Sequence, residues 1–120
     1  MNIQRTTQVP PMHSDHGETV RELVGAARQN SQSHSLAHIT IEAGAASIRH
    51  HHLTGEETFY ILTGSANMII DGVSHPLQPG DACLILPGQV HQMCNAGDTP
   101  LTFMAVCVPA WTPGDSYQDA

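Results

Sequence analysis

Gly44-AASIR-His50-His51-His52-LTGE-Glu57-TFYILT-Gly64 is the stretch that decides how this 120-residue chain is read. Side chains on a β-strand point to alternate faces, so His50 and His52 face the same way and His51 faces the other. Two imidazoles converging from one strand need only a carboxylate and a third imidazole to make a metal site of nitrogen and oxygen ligands. Glu57 is the carboxylate in register, and Glu56 is the spare if the strand shifts by one residue. A partial echo follows as Gly80-DACLIL-Pro87-Gly88-QV-His91-QMC-Asn95.

On either side of this stretch the chain divides into short strand-like segments. Ser35 to Glu42 alternates, with Ala37, Ile39 and Ile41 on one face and His38, Thr40 and Glu42 on the other. Ser47 to His52 is the first ligand strand, and Glu57 to Leu62 is rich in β-formers. Ala66 to Ile70 runs into Asp71-Gly72, a hairpin signal, and Val73 to Leu77 follows. Ala82 to Leu86, Val90 to Cys94 and Leu101 to Val108 complete the set. Many short strands between Gly, Pro and Asp turns mean an all-β sandwich or barrel. The expected organisation is one domain with a core over about 35–108, an N-terminal arm over 1–34 and a C-terminal tail over 109–120. Within the arm, Glu18 to Arg28 is open between a helical turn and, over Thr19 to Val24, a short strand. Asn30 to His34 reads as a loop.

Charge and composition exclude several classes. The formal charge is −7 with four Lys plus Arg, so no basic patch exists for a nucleic-acid backbone or an anionic membrane surface. No run approaches the roughly 20 apolar residues of a membrane span. The first eleven residues lack the pattern of a secretory signal. Cys83, Cys94 and Cys107 are odd in number and lack metal-type spacing, which points to buried thiols and a cytoplasmic location.

The two motifs resemble those of the cupin family: glycine, His-x-His, glutamate and glycine, then glycine, proline, histidine and asparagine. The resemblance runs from Gly44 to Asn95. One departure is Pro87, which sits directly before Gly88 rather than two residues ahead of it. The resemblance implies a double-stranded β-helix, a jelly-roll-like barrel, with metal ligands at His50, His52, Glu57 and His91. Three imidazoles and a carboxylate suit one divalent transition metal, whether Fe, Mn, Ni, Co, Cu or Zn. Four ligands leave two positions of an octahedral shell for substrate, water or dioxygen. A closed structural zinc site would favour cysteine, and no cysteine ligand occupies these motifs.

Residues sharing a face with the ligands are the pocket candidates: Ile48, Phe59, Ile61, Met93 and Asn95. The same set would also serve as the core of a small barrel. His38 is the polar candidate outside the motifs, as an acid/base or as a group orienting a ligand. His51 is expected at the surface or an interface, and His75 in solvent. His13, His16 and His34 carry no signal. The family spans dioxygenases, decarboxylases, isomerases, lyases and polyketide cyclases, so fold and ligands do not choose the reaction. The leading expectation is an enzyme of dioxygenase type acting on a small, oxygen-rich organic molecule. The alternatives are a non-redox isomerase, lyase or cyclase, and a binding module without turnover. Sugar-nucleotide chemistry is poorly served, because only four arginines and no lysine are available for a diphosphate. A homodimer is expected, formed through outer apolar residues such as Tyr60, Leu62 and Trp111.

Overall fold

The computed structural model describes residues 2–14 and 16–119. Eleven strands are present among them: β1 (Met12–His13), β2 (Glu18–Val24), β3 (Ser35–Ile41), β4 (His50–His52), β5 (Glu56–Thr63), β6 (Ala66–Ile70), β7 (Val73–Leu77), β8 (Ala82–Ile85), β9 (His91–Asn95), β10 (Leu101–Val108) and β11 (Ser116–Gln118). They form a six-stranded sheet in the order β1-β2-β3-β10-β5-β8 and a five-stranded sheet in the order β11-β4-β9-β6-β7. All pairings are antiparallel. The non-sequential strand order, with β10 between β3 and β5 and β9 between β4 and β6, is that of a double-stranded β-helix.

Strict alternation builds the interior. In β3 and β10 every second residue is buried, and in β5 Glu57, Phe59 and Ile61 are buried while Glu56, Thr58 and Tyr60 are exposed. Phe103, Ile41, Ile61, Met68, Ile85 and Leu101 are the largest fully buried side chains. Phe59 meets Phe103 edge to face with ring centroids 5.5 Å apart, an arrangement favoured by the ring quadrupoles. Asp71 and Gly72 both take positive φ, 48° and 83°, as the β6–β7 hairpin requires.

Two segments outside the central strands join the sheets. Residues 18–24 form a strand rather than a helical turn. Glu18, Val20 and Glu22 pair with Ile41, Ile39 and Ala37, which sets them on the interior face. Residues 116–118 form β11, which pairs with the ligand strand β4.

Candidate metal centre

Three elements deliver four ligands. β4 supplies His50 and His52, β5 supplies Glu57, and β9 supplies His91, which lies directly opposite His50 in the ladder. One ligand atom from each lies within 4.8 Å of every other, so the cluster is able to hold a metal ion. Glu56 points to solvent, so the burial pattern of β5 selects Glu57.

The hydrogen bonds fix which nitrogen faces the centre. Nδ1 of His50 lies 2.7 Å from Ile48 O, that of His91 3.0 Å from Gln89 O, and that of His52 3.1 Å from Asp115 O. A carbonyl oxygen only accepts, so each Nδ1 carries the proton and each Nε2 presents a lone pair. His52 Nε2 and Glu57 Oε1 are 2.6 Å apart, and His91 Nε2 is 3.6 Å from the same oxygen. Yet none of these three buried atoms makes a hydrogen bond. Unsatisfied polar atoms are costly in an interior. Their convergence is accounted for if all aim at one cation, and this donor set fits a divalent first-row ion.

Burial and contacts among the ligands shift three of the four groups. Burial and the neighbouring His91 push the His50 imidazole down to about 4. Burial would raise the Glu57 carboxyl, but contacts with His52 and His91 outweigh it and hold it at about 2. Burial alone would lower His52, and contact with Glu57 reverses that and raises it.

The centre opens into a cavity of about 460 Å³ between the sheets. Ile48, Phe59 and Met93 line it together with the four ligands. Ile61 does not. It is four residues from Glu57, about 13 Å along the strand, and packs in the core with Met68 and Phe103. Asn95 instead holds the following turn, donating to Ile41 O and Thr99 O and accepting from Gly97 N. His38 lies on the opposite face of β3 from Ala37 and Ile39, between Arg21 and Met104, and does not line the cavity. Trp111 lines the cavity rather than an outer face. His51 faces away from the centre, bonded to Asp119 at 2.7 Å and stacked on Tyr117.

Sequence reasoning missed Glu18 and Glu22, which reach the cavity from β2, and Ser116 and Gln118, which reach it from β11. The run Glu18-Thr19-Val20-Arg21-Glu22 has polar residues on both faces, so no alternation marked the first pair. No pattern in the sequence marked the second. Asp115, just before β11, accepts the backbone N–H groups of Leu53, Thr54 and Gly55 at 3.1, 3.0 and 2.8 Å.

A two-sheet β-barrel with three imidazoles and a carboxylate converging inside defines a metal-site barrel of the double-stranded β-helix class. The chain belongs to the cupin family: the Cupin domain model matches residues 37–107, more than half of its length. It is similar to an uncharacterized protein of Methanocaldococcus jannaschii, 28% identical over 91% of this chain and 87% of that one. It is also similar to an oxalate-binding protein of Thermotoga maritima, 26% identical over 88% of this chain and 93% of the other. Among solved structures, the polyketide cyclase RemF of Streptomyces resistomycificus superposes with a TM-score of 0.82 at 19% identity, over 100% of this chain and 86% of that one. At that identity the likeness is one of fold.

Proposed function

We propose that this chain is a metal-dependent enzyme acting on a small, oxygen-rich organic molecule, with the ion held by His50, His52, Glu57 and His91. The observation that carries this reading is the set of orphaned atoms, His52 Nε2, His91 Nε2 and Glu57 Oε1, on rings whose other nitrogens are tied to backbone carbonyls. A divalent ion bound there supplies Lewis-acid polarisation of a substrate oxygen, and a redox-active ion adds the option of oxygenation. The chain does the rest. Ile48, Phe59 and Met93 exclude water around the guest, and the anchored imidazoles keep the ligand geometry rigid.

Dioxygenase-type chemistry on catechols, flavonols or β-diketones remains the reading for an iron-, manganese- or nickel-loaded protein. Non-redox chemistry, such as cyclisation or isomerisation, is the reading for a zinc-loaded protein, where the ion offers Lewis-acid polarisation alone. The similarity to an oxalate-binding protein supports a guest that offers two oxygens side by side. We place the protein in a reducing compartment, which suits its three free thiols, and as a homodimer paired through the outer face around Tyr60, Leu62 and Leu84.

The test is elemental analysis of wild type against the double variant His50→Ala plus His91→Ala, followed by product detection by mass spectrometry with each metal-loaded form. One metal per chain in wild type, lost in the variant, is expected. Retention in the double variant overturns the ligand set. A bound metal without product from any of these compounds turns the reading to a binding module.

A further inference from the structure

The cavity holds two carboxyls besides the one in the metal cluster, and the hydrogen bonds separate their roles. Glu22 is buried, and its carboxylate accepts the backbone N–H of Arg28 at 3.1 Å, so it fastens the turn after β2. Glu18 has no such structural duty to its own loop. It lies on the inward face of β2, paired with the fully buried Ile41. It lines the same cavity as the four ligands. It also lies within electrostatic reach of both Glu57 and His91. A carboxylate has about four lone-pair sites, which gives it acceptor capacity for a guest.

Resting on the metal-centre reading above, we infer that Glu18 is the proton-transfer residue of this site, acting on a carbon acid that lies between it and the ligand cluster. The substrate class is an enolisable carbonyl compound with a second oxygen nearby, such as a β-keto ester or β-diketone. In the step, a Glu18 oxygen takes the proton from the carbon next to the carbonyl. The C–H bond breaks, its electron pair becomes the carbon–carbon double bond of the enolate, and the carbonyl oxygen takes the negative charge. When the proton on Glu18 is first replaced by one from solvent, its delivery to the same carbon gives exchange, and proton transfer from Glu18 to a different carbon gives isomerisation. No oxidant or reductant is needed.

Three features support the assignment. Burial raises the Glu18 carboxyl above its usual range, which brings its basicity closer to that of a carbon acid. The β2 strand fixes the backbone, since Glu18 pairs with Ile41 in the ladder and its own N–H is held by Ser14 Oγ at 3.1 Å. The walls near it, Val20 and Ile39, are apolar and would keep a neutral ester in place.

The experiment follows the loss of the C2 proton of ethyl 2-methylacetoacetate in D2O by NMR, with zinc-loaded wild type, Glu18→Gln and Glu18→Ala. Wild type should accelerate exchange, and Glu18→Gln should lose about 10²-fold or more of that acceleration while keeping the same zinc content. Added formate should restore part of it to Glu18→Ala, which a merely structural role would not allow. A second readout needs no turnover. The chain has five glutamates, so carboxyl-¹³C labelling gives a tractable spectrum. The resonance that disappears in Glu18→Gln should shift when the ester is added to wild type. Equal exchange rates in zinc-loaded wild type and Glu18→Gln, or an unmoved Glu18 resonance, overturn the assignment and leave the metal centre standing. Failure of wild type to hold zinc overturns the metal-centre reading itself, and the assignment with it.

Discussion

His52 Nδ1 donates to the carbonyl oxygen of Asp115 across 3.1 Å, and the two residues are 63 positions apart in the chain. His50 and His91 are oriented locally, each by the carbonyl two residues before it. His52 alone among the three depends on a distant segment. The same Asp115 uses its side chain to gather the amides of Leu53, Thr54 and Gly55, the turn that separates His52 from Glu57. One residue therefore fixes both the ring and the spacing of the ligand that follows.

Asp115→Asn should weaken metal binding about 10-fold, because groups that orient ligands typically contribute 10- to 100-fold. Burial acts to raise the Asp115 carboxyl, but the Gly55, Thr54 and Leu53 amides outweigh it and hold it low. Its contribution to stability is then present above 3.8 and lost as pH falls through the depressed folded value. The group is only partly buried, so the expected stability loss is about 1 kcal/mol. Competition with a fluorescent chelator and urea unfolding read the two effects.

The metal-free protein should show a pH signature from His50. Its folded value near 4, against 6.5 when unfolded, means the unfolded chain takes up a proton that the folded one refuses. The stability this neutral ring contributes is complete above 6.5 and declines as pH falls toward 4. His52, raised by Glu57, behaves oppositely: its contribution is complete below 6.5 and declines as pH rises through its folded value. The difference in unfolding free energy between wild type and His50→Asn should therefore shrink between pH 6.5 and 4, by at most about 1.4 kcal/mol per unit. A difference independent of pH over that window would remove the assignment.

The two glycines that frame the first motif should respond unequally to alanine. Both have positive φ, 79° at Gly44 and 89° at Gly64. A methyl group at Gly44 meets nothing within 4 Å, whereas at Gly64 it would lie 2.9 Å from Pro100 O. Gly44→Ala should cost about 1 kcal/mol, from left-handed backbone alone. Gly64→Ala should cost about 2 kcal/mol or more, since backbone must shift as well. Urea midpoints of the two variants test the order.

The proposed dimer uses Tyr60 and Leu84, which are 47% and 52% exposed on neighbouring strands β5 and β8. Tyr60→Glu combined with Leu84→Glu should halve the mass seen by light scattering while leaving metal content unchanged. Wild type already at the single-chain mass at micromolar concentration would dismiss the pairing.

Much of the barrel was legible because its strands are amphipathic with period two. The pattern placed Glu57, Phe59 and Ile61 on one face, set His51 opposite its neighbours, and located the Asp71-Gly72 hairpin. What alternation cannot measure is depth. Ile61 and Asn95 share a face with the ligands but lie too far along their strands to reach the cavity, and only three-dimensional closure shows this. His38 has suitable chemistry on the wrong face, since the pattern of its own strand sets it opposite Ala37 and Ile39. Glu18 was hidden because β2 is half-buried along most of its length, so no contrast of polar and apolar faces marked it. The pairing of β11 with β4 left no local trace, since contacts across 60 or more residues depend on the finished fold.

That late pairing gives the protein an order of assembly. During synthesis all four ligands have emerged once His91 has, yet the ring of His52 and the turn before Glu57 are untied until Asp115 follows. An incomplete chain would carry every donor atom and still hold them loosely. A polypeptide cut short before Asp115 is therefore expected to hold a metal more weakly than the 120-residue chain, since it lacks the contacts that tie the His52 ring and the turn before Glu57.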